Sequence, residues 1–389
     1  MTKLPTVAVV TGTRAEFGLL LPVIKRINED KDLKLSLIVT GAHLLPSLGD
    51  TIKEIEKSGV PIDKKIDILT DGENTRATEA TANALRDFSR YFSENRPDMV
   101  VVLGDRYEIF AAATAAAMCD IPIAHISGGE TTEGAKDEFF RHCITKMSAL
   151  HFAATESYRK RIIQLGEQPE RVFFAGSLGA ENITTLPVIP KDDLSRDIGF
   201  SMSEDFILAT YHPETLGGGS PREGVRALLA AIDELKIPCL FTAANADEGG
   251  AEINDEIKRF CEKNDRVKLV SSLGVVRYLS VMRYCRAVVG NSSSAIVESP
   301  TLKKPAVNIG ERQTGRIMGD NNINCAADKE SIKAAIRKAT SDEFRASIEN
   351  MTSPYGRGGA SKVIVETIKE KLPTLSTKKT FYDIDFEVK

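Results

Sequence analysis

The stretch that decides the fold is MVVVLGDRYE, residues 99–108. Five consecutive apolar residues, three of them valine, stop at Gly104 and are followed by the charged pair Asp105–Arg106. Continuous rather than alternating hydrophobicity is what a parallel strand needs when helices cover both of its faces. A glycine and charges just beyond it would lie at the strand's carboxyl end, where open α/β sheets hold their ligands.

Working outward, the same grammar recurs on both sides. TVAVV (6–10) and LKLSLIVT (33–40) read as strands. Between them Phe17, Leu20, Leu21, Ile24 and Ile27 trace an i, i+3, i+4, i+7 stripe, so residues 16–30 are predicted helical. IPIAHIS (121–127) and RVFFAG (171–176) follow, each after a helical segment. The rhythm then restarts with FILATY (206–211), PCLFTA (238–243), VKLVS (267–271), RAVVG (286–290) and PAVNIG (305–310). Helices are expected near 221–236, 250–264, 274–284 and 294–302. Strands alternating with helices predict an α/β chain of doubly wound, Rossmann-like units. Two such domains in series with a cleft between them are expected, at 1–178 and 179–364. The join falls where LPVIPKDD (186–193) supplies prolines and charges, and residues 365–389 are expected to pack back on the first domain.

A chain of 389 residues is long for one core, which agrees with two domains. Apolar residues are 42% and charged residues 27%, the balance of an ordinary globular protein. The formal charge of −4, the absence of Trp and the lack of basic runs argue against nucleic acid and anionic membrane as partners. The longest apolar stretch, AAATAAAMC (111–119), is too short to span a bilayer, and the amino end lacks the apolar core of a signal peptide. Six scattered cysteines (Cys119, Cys143, Cys239, Cys261, Cys285, Cys325) offer neither zinc spacing nor a dithiol motif, so a reducing cytoplasmic setting is expected.

The chemistry-bearing motifs sit at predicted strand ends. GTRAEFG (12–18) joins a strand to a helix, and Arg14 with backbone N–H groups there would suit a phosphate. It is neither the dinucleotide fingerprint nor a Walker A loop, and an exposed Arg in an ordinary turn is the plainer reading. Asp105 and Arg106 either face a ligand crevice or form an internal ion pair. HISGGETTEGAKDEFFRH (125–142) is the densest polar stretch. Its helix is expected to begin near Lys136, pairing Asp137 with Arg141 and Glu138 with His142 at i, i+4. Such pairs are commonly just solvated, yet Asp105, Glu130 and Asp137 together supply the carboxylates that acid/base work at a sugar carbon needs. His212 in TYHPET (210–215) and Asn245 in TAANADEGG (242–250) follow later strands. GNSSSAIVE (290–298) places Ser292, Ser293 and Ser294 in the expected first turn of a helix, with Glu298 to bind ribose hydroxyls. Serine N-capping explains one of these serines, not three. Arg312 in NIGERQTGR would complete a nucleotide pocket. No His/Asp/Glu cluster has metal-ligand spacing, and no metal is expected.

Taken in order, GTRAEFG, IVTGAHL, LGDRYEIF, HISGGE, DEFFRHCITKMS, QLGE, FAGSLGAENI, YHPET, NADEGG, GNSSSAIVE and NIGERQTGR resemble the hydrolysing UDP-N-acetylglucosamine 2-epimerases of sialic acid biosynthesis. The resemblance implies a two-domain fold of the glycosyltransferase-B type that binds a UDP-sugar and needs neither metal nor nicotinamide cofactor. It implies anti elimination of UDP to 2-acetamidoglucal, then hydration, yielding N-acetylmannosamine. It matches Asp105 and Asp137 to catalytic carboxylates. It matches Arg14, Arg106, His212, Asn245, Ser292, Ser293, Glu298 and Arg312 to UDP-binding positions, and Arg141 and His142 join them as candidate binding residues. His212 is also expected to steady charge on the departing UDP, and so counts among the catalytic candidates. Many relatives carry a catalytic glutamate where this chain has Ser127, so Glu130, three residues on, is the candidate replacement. The resemblance also implies a homodimer or homotetramer. The competing expectations are the same chemistry on UDP-2,4-diacetamido-2,4,6-trideoxyglucose for legionaminic acid, a non-hydrolysing epimerase, a glycosyltransferase of the same fold and a non-catalytic nucleotide-sugar sensor.

Overall fold

The computed structural model describes residues 4–46, 51–69, 75–133, 137–213, 221–244 and 249–387. The chain forms two compact units: Met1–Glu130, Asp137–Asn182 and Gly358–Lys389 make one, Thr131–Lys136 and Ile183–Arg357 the other.

In the first unit seven parallel strands run β1 Thr6–Thr11, β2 Lys34–Thr40, β3 Lys64–Ile66, β4 Met99–Leu103, β5 Ile123–Ile126, β6 Leu150–Ala153 and β7 Val172–Phe174. Their order across the sheet is β3-β2-β1-β4-β5-β6-β7. The apolar run at 99–103 is the centre of this sheet, and each of its residues is buried. Successive side chains of a strand point to opposite faces. Accordingly Met99, Val101 and Leu103 join one core cluster and Val100 and Val102 another. One face is covered by the helix Ala77–Asn95, whose buried positions Ala80, Ala84, Phe88 and Phe92 recur every four residues. That helix packs on the alanine-rich helix Tyr107–Met118.

The second unit repeats the plan with β8 Ile207–Thr210, β9 Cys239–Thr242, β10 Val267–Val270, β11 Ala287–Gly290, β12 Ala306–Ile309 and β13 Asn322–Cys325. Its order is β10-β9-β8-β11-β12-β13, again parallel throughout. Two α/β units with parallel sheets of seven and six strands are thus present, as the alternation of strands and helices predicts.

Three strands escape the sequence reading. β3 is a three-residue edge, β6 (LHFA) is a short run lodged between helices, and β13 (NINC) is mostly polar. The helix Ala360–Lys371 belongs to the first unit, whose last segment begins at Gly358. Its apolar face, Ala360, Ile364, Val365 and Ile368, lies in the same core cluster as Val7 and Leu20. Two ion pairs from Lys369, to Asp30 and Asp32, fasten its far end. Among the described residues no helix is long and apolar enough to cross a membrane, and all six cysteines are free thiols.

Candidate functional site

In the first sheet β1 lies beside β4, and the chain leaves them toward opposite edges: β2 lies outside β1, β5 outside β4. This is the switch point, where the loops after the two carboxyl ends diverge and leave a crevice. Those loops carry Gly12–Thr13 and Gly104–Arg106.

Thr13 caps the helix Arg14–Glu29, and Glu16 closes the capping box. One Glu16 oxygen accepts the N–H groups of Gly12 and Thr13, both at 2.9 Å. Beside it stands Glu108, 1% exposed, which takes the Arg106 Nε–H at 2.6 Å. Glu16 Oε1 and Glu108 Oε2 are buried and have no hydrogen-bond partner among the described residues. Burial first, and the charge of Glu108 second, push the Glu16 carboxyl up to about 8. A Cβ on Gly12 would lie 2.8 Å from Glu108 Cγ and Oε1, so any larger residue would displace the Glu108 side chain. Glu16 and Glu108 were not singled out by the sequence reading, although both lie inside its motifs. The spacing Thr13-x-x-Glu16 is a capping-box signature and was the available signal. Arg14 pairs with Glu54 at 2.5 Å, both side chains being partly exposed.

Arg141 organises the neighbouring strand ends. It is 1% exposed, a burial that an arginine tolerates only when paired. Its Nε donates to Asp105 at 2.8 Å, and Nη2 donates to the same carboxylate oxygen. Nη1 donates to the Glu130 carbonyl at 2.9 Å and to Glu138 at 2.8 Å. Against the opposing cost of burial, Asp105 and then Glu130 raise the pKa of Arg141, so the cation persists. Asp105 is therefore held at the end of β4 in an ion pair whose cation is buried and whose carboxylate is partly exposed, with Glu130 alongside. The expected Glu138–His142 pair forms at 3.0 Å. Asp137 is the first residue of the helix Asp137–Met147 and is half-buried.

The loop after β5 is shaped by close packing. His125, wholly buried, accepts from Thr145 through Nδ1 and donates through Nε2 to the Gly104 carbonyl at 2.8 Å. Desolvation lowers its pKa to about 3, so the ring is neutral and serves as a brace between β4 and β5. A Cβ on Gly128 would meet Thr145 Oγ1 at 2.9 Å, and one on Gly129 the Tyr158 carbonyl at 2.5 Å. Ser127 has φ of +65°, a left-handed conformation that costs a non-glycine residue energy and is common at functional sites.

In the second unit the ends of β8 and β11 meet tightly. A Cβ on Gly290 would lie 1.9 Å from the Thr210 carbonyl. His212, Asn291, Arg312 and Gln313 gather beyond that contact: Asn291 binds His212 through its side chain and receives Arg312 and Gln313 on its carbonyl. Asn291 and Gln313 were missed by the sequence reading. The serine motif departs from expectation. The helix spans only Ser294–Val297, not 294–302, so Ser292 and Ser293 precede it; Ser293 occupies the cap position without a side-chain cap bond. Pro300 accounts for the early stop, since it disfavours helical backbone at Ser299 and cannot donate. A single turn carries a small dipole, so anion binding here would fall to the serine hydroxyls and N–H groups. Glu298 closes this turn. Asn245 lies outside the described residues. Among the described residues no group of three His, Cys, Asp or Glu is arranged to share a metal ion.

Residues 25–369 match the family model for UDP-N-acetylglucosamine 2-epimerase. The chain is 43% identical to a GDP/UDP-N,N'-diacetylbacillosamine 2-epimerase (hydrolyzing) of Campylobacter jejuni, over 87% of this chain and 88% of that one. It is 39% identical to the polysialic acid biosynthesis protein P7 of Escherichia coli, over 96% of each. Among solved structures, a Neisseria meningitidis UDP-GlcNAc 2-epimerase bound to UDP-GlcNAc superposes with a TM-score of 0.80 at 20% identity, over 94% of this chain and 100% of that one.

Proposed function

The chain belongs to the UDP-N-acetylglucosamine 2-epimerase family, and from that premise we propose that it is a hydrolysing epimerase converting UDP-N-acetylglucosamine to N-acetylmannosamine and UDP. The observation that carries the reading is the buried Arg141 with Asp105, Glu138 and the Glu130 carbonyl around it at the ends of β4 and β5. Arg141 fixes the Asp105 carboxylate and the backbone at Glu130, and a carboxylate held in a partly desolvated frame is what stabilising positive charge at C1 requires.

In the proposed reaction a carboxylate takes the C2 proton while the C1–O bond to the β-phosphate breaks, leaving 2-acetamidoglucal and UDP. Water then adds at C1 and a proton returns to C2 from the opposite face. The sum is one UDP-sugar and one water giving one free sugar and UDP. The C2 proton is a poor acid, so C1–O cleavage runs ahead and positive charge builds at C1. Asp105, held in orientation by Arg141, is assigned to face that charge. Glu130 and Asp137 are assigned the proton transfers, Glu130 standing in for the glutamate absent at Ser127. His212, Asn245, Ser292, Ser293, Glu298 and Arg312, with Arg14, Arg106 and His142, are proposed to hold the nucleotide. A cytoplasmic homodimer or homotetramer is the setting proposed for it.

A second reading has a specific observation behind it. The 43% identical relative, and one 33% identical from Legionella pneumophila, are named for diacetylbacillosamine rather than N-acetylglucosamine. On that sugar the bond changes are the same. Parallel assays with UDP-N-acetylglucosamine and UDP-N,N'-diacetylbacillosamine, each followed by chromatography of UDP and free sugar, separate the two. The first reading expects the higher kcat/KM on UDP-N-acetylglucosamine; a reversed preference by tenfold or more would hand the chain to the second.

A further inference from the structure

We propose that Asn291 is a positioning residue that fixes His212 for a nucleoside diphosphate, its side-chain amide extending the β8–β11 ladder one step past the end of the strands. The inference rests on the reading of His212 as a nucleotide-binding residue.

The ladder itself ends with Gly290 opposite Thr210, and the Asn291 N–H donates to the Thr210 carbonyl at 3.2 Å. From there the side chain replaces the backbone. Asn291 Oδ1 accepts the His212 N–H at 2.7 Å, and Nδ2 donates to the His212 carbonyl at 2.8 Å. Both peptide groups of one residue are thus engaged by a single planar amide, which mimics a strand neighbour. Pro213 follows His212 and restricts it to extended backbone. With φ and ψ held from three sides, the Cα–Cβ bond of His212 has one direction.

Asn291 is wholly buried, so the clamp works in a desolvated place where each bond matters more. Its own carbonyl takes Arg312 Nη1 at 3.2 Å and Gln313 Nε2 at 2.8 Å, filling both lone pairs. Gln313 is 2% exposed. One residue therefore registers the loop after β8 with the loop after β12. Asparagine is required for the side-chain part, because only an amide of this length offers one acceptor and one donor in the same plane. Alanine removes both bonds, and aspartate keeps the acceptor while setting an oxygen against the His212 carbonyl.

The test is a double-mutant cycle on UDP binding, read by titration calorimetry, with thermal melts alongside. Asn291→Ala is expected to weaken UDP binding by about tenfold or more, with Asn291→Asp in between, as lost buried hydrogen bonds imply. In the His212→Ala background the same substitution should cost less than about threefold, because its effect passes through His212. Equal losses in both backgrounds would overturn the proposal and leave Asn291 a purely structural residue. If the wild-type protein binds no UDP, the nucleotide reading fails separately, and the clamp is then read from the histidine ring signals in NMR. The signals absent from His212→Ala should shift or broaden in Asn291→Asp while those of His43, His125, His142 and His151 stay in place. Unchanged His212 signals would overturn it.

Discussion

Glu16 accepts two N–H groups at the start of a helix and faces a second buried carboxylate, so its protonation links local structure to pH. The folded protein holds this proton up to about 8, whereas an unfolded chain releases it near 4.5. The raised pKa therefore favours the fold fully at low pH, and that contribution drains away as pH climbs from about 4.5 through 8. Glu16→Gln keeps an acceptor for Gly12 and Thr13 and removes the titration. Thermal melts across this range should show a shallower fall with pH than the wild type, and an unchanged slope would contradict the assignment. Glu16→Ala should instead cost about 1 kcal/mol of stability at low pH through the lost cap. At the neighbouring strand end, Asp105→Asn is expected to lower turnover by about a hundredfold or more with modest loss of UDP affinity. Near-normal activity in steady-state assays would remove Asp105 from the mechanism.

Among the elements, the helix Ala360–Lys371 is the one whose role depends most on where it packs. Ile364 is wholly buried in the first unit's core, so Ile364→Ala should destabilise that unit by about 2–5 kcal/mol. Denaturant unfolding checks this, and a loss below about 1 kcal/mol would mean that the helix contributes little. The amphipathic pattern of this helix is visible in the sequence, but a stripe of apolar residues says that a face is buried, not against what. The same limit explains the other differences. MVVVL could be read as a central strand because every residue is apolar, whereas NINC at β13 carries no such signal and is paired only because β12 lies beside it. The three serines were legible as a motif, but the length of their helix was set by Pro300. Asp105 and Arg141 were both visible, 36 residues apart; their pairing depends on β4 and β5 being neighbours. Glu16 carried a local signal in its capping-box spacing, whereas the importance of Glu108, Asn291 and Gln313 lies in burial, which no local pattern reports.

At the scale of the whole molecule, each unit places its polar loops at the carboxyl ends of a parallel sheet, and the described candidate residues lie on those loops or on the helices that follow them. The first unit offers carboxylates fixed by Arg141, and the second offers His212 and Arg312 registered by Asn291. The central proposal drawn from these loops is hydrolytic epimerisation of a UDP-sugar. Proton NMR of the protein with UDP-N-acetylglucosamine in deuterated water, without added metal, tests that claim most directly. The proposed reaction predicts free N-acetylmannosamine carrying deuterium at C2, accumulating in step with UDP. Epimerised UDP-sugar without free sugar, or free sugar that retains its C2 proton, would contradict it.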